Sequence, residues 1–85
     1  MNFDILSAPG ELFLGSDVTT AQALGGRHFG TAARAVRFAM EQAAPVSLRG
    51  ASLRIGAADF GPGQIRRMHA RLEALGQARR PGRRA

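Results

Sequence analysis

The residues able to do chemistry in this chain are few and dispersed. Its histidines are His28 and His69, and its acids are Asp4, Glu11, Asp17, Glu41, Asp59 and Glu73. There is no cysteine, which excludes disulfides and thiolate metal sites. A metal site generally needs three or more donors at suitable spacing, and neither HxxxH nor HExxH occurs. A catalytic histidine needs a positioned nucleophile or carboxylate, and here the acids lie scattered along the sequence. The chain therefore reads as non-catalytic, with no metal, no cofactor and no small-molecule substrate assigned.

The segment 25–31, GGRHFGT, precedes the start of a helical pattern. Free N–H groups and the helix dipole favour anions at such a place. Gly25 and Gly30 have the glycine spacing of GxxxxGK[ST], but Thr31 stands where the lysine is needed and Ala32 where Ser or Thr is needed. No strand pattern leads directly into it. A nucleotide-binding loop is rejected on those grounds, and the segment reads as a structural loop.

Arginine carries the strongest signal. All 12 basic residues are Arg, in a chain of 85 residues with net charge +6. Residues 1–42 hold Arg27, Arg34 and Arg37 against four acids, while residues 43–85 hold nine arginines against Asp59 and Glu73. Such asymmetry points to an anionic partner without identifying it. Use of Arg, Ala and Gly with no Lys fits a GC-rich bacterial genome, which explains the choice of Arg but not its clustering. Arg49, Arg54, Arg66, Arg67 and Arg71 are the candidate anion or nucleic-acid face, the alternative being a merely solvated helix face. No Trp or Tyr is present and no Phe lies among them, so binding of single strands by stacking is poorly supported.

These residues need elements to position them. Segment 2–7 alternates weakly, Ala8-Pro9-Gly10 reads as a turn, and 11–15 is a short apolar run bounded by glycines; together they suggest a first hairpin. Ser16-Asp17 offers an N-cap for a short helix over 18–24, closed by Gly25-Gly26, with a loop over 25–30. The spacing predicts a helix over 31–44, capped by Thr31 and stopped by Pro45. At about 100° per residue, Ala32, Ala33, Val36, Ala39, Met40 and Ala43 share its inner face. Arg34, Arg37 and Glu41 lie opposite, and Phe38 falls among them. Phe38 therefore reads either as a second layer of core or as an anchor for a partner or a dimer mate, flanked by Arg34, Arg37 and Glu41.

Segments 46–49 and 52–55 read as a second hairpin around a Gly50-Ala51 II′ turn. The rival reading keeps one strand over 51–57 and leaves 46–50 as a loop. Residues 56–63 read as a turn region, with Pro62 at or before a helix start. A helix over 64–75 carries an Ile65, Met68, Leu72 and Leu75 stripe, with Gly76 as its stop. Residues 77–85 have no large apolar side chain and read as a disordered basic tail.

The expected fold is α+β: short antiparallel strands or hairpins packed on two main helices, as one domain over 1–76. The large apolar residues (three Val, three Ile, eight Leu, five Phe and three Met) suffice for one modest core. No apolar run approaches the ~18 residues a membrane span needs. The opening residues do not read as a signal peptide, which together with the lack of Cys suggests a cytoplasmic setting. The expected function is binding: an interaction module meeting a protein or its own copy, or alternatively a nucleic-acid accessory protein acting through its C-terminal arginines.

Overall fold

The structure is a computed structural model, and it describes residues 3–79. The chain is α+β: a four-stranded antiparallel sheet with three α-helices. In chain order these are β1 (Gly10–Phe13), α1 (Val18–Leu24), β2 (Arg27–Phe29), α2 (Ala32–Glu41), β3 (Ser52–Ile55), β4 (Ala58–Phe60) and α3 (Pro62–Arg79). Two 3-10 turns, Phe3–Ser7 and Pro45–Leu48, precede β1 and β3. The sheet order is β2-β1-β3-β4.

The helix starts are set locally. Asp17 accepts a hydrogen bond from the Thr20 N–H at 2.7 Å and caps α1. Thr31 accepts from the Arg34 N–H at 3.3 Å and caps α2. At α3, the Gln64 side chain reaches back to accept the Gly61 N–H at 3.1 Å, with Pro62 opening the first turn. Each contact satisfies a donor that the helix cannot pair internally.

Period two then sorts the sheet. Leu12, Leu53 and Ile55 point inward and are buried, whereas Glu11 and Arg54 point outward. The inner face packs on Ala32, Ala35, Val36 and Ala39 of α2 and on Ile65 and Met68 of α3. Small side chains on α2 permit a close approach: a Cβ at Gly10 would lie 3.3 Å from the Ala32 Cα. Ala35 belongs to this buried face, while Ala33 is only half-buried. On the outer side α1 packs against β1. Phe13 and Ala21 are buried apart from the main core.

Neither expected hairpin forms as drawn. Residues 3–7 coil into a 3-10 turn, and β1 pairs with β2 and β3. Residues 46–49 are no strand, because Pro45 opens a 3-10 turn there. Backbone bonds instead tie this segment to Gly15, from Gly15 N–H to Ser47 O at 3.0 Å and from Gly50 N–H to Gly15 O at 2.9 Å. The real hairpin joins β3 and β4 through Gly56-Ala57, with Ile55 paired to Ala58. Gly56 has φ +61° and Ala57 does not have a positive φ, the pattern of a II′ turn. The chain contains two Gly-Ala dipeptides at strand ends, and the second one turns. β4 thus lies within the expected turn region, and β2 lies within the expected loop 25–30.

Helix α2 ends at Glu41, short of 44. Helix α3 runs through Gly76 to Arg79. Of the expected tail, residues 77–79 are helical, and 80–85 lie outside the described residues. No helix among the described residues is long and apolar enough to cross a membrane.

Candidate functional site

The fold divides the arginines by what they meet. On the outer sheet face, register aligns His28, Glu11, Arg54 and Asp59 across the four strands. Arg54 Nε donates to Asp59 Oδ1 at 3.0 Å, and its guanidinium lies 5.7 Å from the Phe13 ring centre. The hydrogen bond and charge of Asp59 push the Arg54 pKa upward, with Glu11 adding to this. Arg54 is therefore neutralised on the face opposite α3, and it does not join the helix arginines.

Arg27 is engaged differently. Its guanidinium stands 4.5 Å from the Phe38 ring centre and 5.7 Å from that of Phe29. Phe29 and Phe38 are themselves 5.5 Å apart at a 48° tilt. Phe38 is half-buried against the core through this contact between β2 and α2. It is covered from outside by the arginine.

Arg37 joins α2 to α3. Its Nη1 lies 3.2 Å from Oε2 of Glu41 and 3.2 Å from Oε2 of Glu73. His69 Nε2 is 2.8 Å from Glu41 Oε2 and 3.7 Å from Glu73 Oε2. An ionised Glu41 only accepts, so Nε2–H donates in this pair. That hydrogen bond holds the Glu41 carboxyl below the usual carboxylate range, and the charge of Arg37 acts in the same direction. Arg37 meets Glu73 while Glu41 meets His69, so the two helices run antiparallel here. The scattered acids of the sequence are gathered: Glu41, His69 and Glu73 present donor atoms that all lie within 4.8 Å of one another. Two of these three residues, His69 and Glu73, share an i, i+4 spacing that could have paired them from sequence but was not singled out there.

Arg66, Arg67 and Arg71 are exposed on α3. Ile65 and Met68 of the same helix are fully buried, so these arginines project from the other side. Among the described residues Arg66 and Arg67 form no ion pair. The one acid of α3, Glu73, faces Arg37 and His69. Arg49 is exposed at the end of the second 3-10 turn, and Arg34 is exposed on the first turn of α2. Of the candidate partner surface Arg34, Phe38 and Glu41, only Arg34 lacks a side-chain engagement of these kinds among the described residues.

At the start of α2, next to the GGRHFGT segment, two backbone donors are already taken. The Arg34 N–H is taken by Thr31 and the Ala32 N–H by Ala8 O at 2.6 Å. Two of the depressions among the described residues lie on the outer surface. One, of about 190 Å³, lies by Glu11, His28 and Arg54. The other, of about 430 Å³, lies between Val18 and Gln22 of α1 and Asp59, Phe60 and Pro62. Comparison with protein-family models, with curated proteins and with solved structures gives no match.

Proposed function

We propose that this chain is a non-catalytic binding module that meets an anionic polymer, nucleic acid foremost, with the outward face of α3. One observation carries the reading: Arg66 and Arg67 stand exposed and without an ion pair among the described residues, while Arg27, Arg37 and Arg54 are each engaged. The helix that bears them has 18 residues and is about 27 Å long, enough to follow several phosphates. Binding of this kind falls steeply with salt, because each neutralised phosphate releases condensed counterions. Heparin and duplex DNA should therefore retain the full chain at low salt. Arg66→Ala together with Arg67→Ala should weaken binding and lower the slope of log K against log salt by about 2. A chain ending at Arg79 separates the described face of α3 from residues 80–85. Undiminished binding by the double variant would sink the reading.

A protein partner is the second reading. It is favoured by two apolar side chains left in solvent on α1, Val18 at 61% and Leu24 at 72% exposure. Val18 also borders the larger depression. A concentration-dependent mass that disappears with Leu24→Ser supports self-association, and a strict monomer with no co-purifying protein removes it.

A further inference from the structure

We propose that Glu41, His69 and Glu73 form a binding site for a divalent first-row transition metal, zinc foremost, in which Arg37 is a resident cation that the metal displaces. One imidazole and two carboxylates are a donor set suited to Zn²⁺. Zn–N and Zn–O bonds of roughly 2.0–2.2 Å place neighbouring tetrahedral donors roughly 3.3 Å apart. The distances from His69 Nε2 to the two carboxylate oxygens, 2.8 and 3.7 Å, straddle that value. All three donor atoms lie within 4.8 Å of one another, so the exposed carboxylates need to draw in by at most about 1.5 Å to surround an ion.

The scaffold suits the task. His69 and Glu73 are one turn apart on α3, and Glu41 arrives from α2. Both helices are held by the core through Val36, Ala39, Ile65 and Met68. His69 is the sheltered member at 20% side-chain exposure, while the carboxylates are 43% and 48% exposed. The open side leaves room for water in a fourth position. Arg37 Nη1 touches both carboxylates at 3.2 Å. A positive group thus already occupies the approach, and it sets the affinity by competition. The metal takes the Nε2 lone pair, so the Nε2 proton leaves or moves to Nδ1, and binding weakens as the pH falls.

The test is titration of the full chain with Zn²⁺, and with Co²⁺ followed by its visible absorption. One ion should bind per chain. His69→Ala and Glu73→Gln should each weaken binding tenfold or more, on the order of what altered ligand support costs metal sites. Arg37→Ala should tighten it by about tenfold or more, a direction that misfolding cannot produce. His28→Ala should leave it unchanged, since the other histidine lies on β2. Absence of binding in both the wild type and Arg37→Ala overturns the site. So does affinity that follows His28 instead of His69, or that falls in Arg37→Ala.

Discussion

Glu41 on α2 and His69 on α3 stand 2.8 Å apart, Oε2 to Nε2, across 28 positions of sequence. The Glu41 carboxyl is held below its usual range by that bond and by Arg37. Its folded pKa is thus lower than its unfolded one. The stabilisation is fully present above the unfolded value of about 4.3 and is lost as the pH falls through the lower folded value. Thermal melts of the wild type and Glu41→Gln should differ at neutral pH and converge in acid. A gap that stays constant down to about pH 3 contradicts the assignment.

Gly15 and Gly50 meet through backbone, and neither position has space for a side chain. A Cβ at Gly50 would run into the backbone of Asp17, and one at Gly15 would lie 2.5 Å from the Ala21 N. Gly50→Ala should destabilise by about 1–3 kcal/mol, as overpacking does. Gly63→Ala should do the opposite. It sits in the first turn of α3 with open space around its Cβ and no positive φ. A gain of about 0.5–1 kcal/mol is expected in denaturant unfolding.

Arg27 covers Phe38, so the two should couple. Phe38→Ala removes a half-buried ring that packs on Phe29 and should cost about 2–3 kcal/mol, below the loss for a fully buried Phe. Arg27→Ala should cost about 0.5–1 kcal/mol. The double variant should lose less than the sum, with a coupling of about 0.5–1 kcal/mol. Strict additivity in urea unfolding would place the arginine elsewhere.

Arg54 and the α3 arginines should separate functionally. Arg54 is paired with Asp59 on the outer sheet face, away from Arg66 and Arg67. Arg54→Ala should leave duplex DNA binding and its salt slope unchanged, whereas Arg66→Ala should lower the slope by about 1. Equal losses in the two variants, read by fluorescence anisotropy over a salt series, would locate the binding face elsewhere.

Features that depend on a few neighbouring residues were legible in the chain. Asp17 and Thr31 cap helices because a side-chain oxygen reaches an N–H three positions on. Ile65 and Met68 face inward because helical spacing puts them on one side. The α+β class followed from such signals, and so did the exposure of Arg66 and Arg67. Partner choice between distant segments was not legible. The pattern that suggested a turn at Gly50-Ala51 is repeated at Gly56-Ala57, and both dipeptides satisfy the same local rule. Only the approach of Gly15 to Gly50, and of β1 to β3, selected the second. The site divides in the same way. The i, i+4 spacing of His69 and Glu73 was visible in the chain, but Glu41 and Arg37 reached them only when α2 packed antiparallel on α3. Arg54 left the basic face for the same reason, since its side was fixed by strand register, which is a property of the assembled sheet.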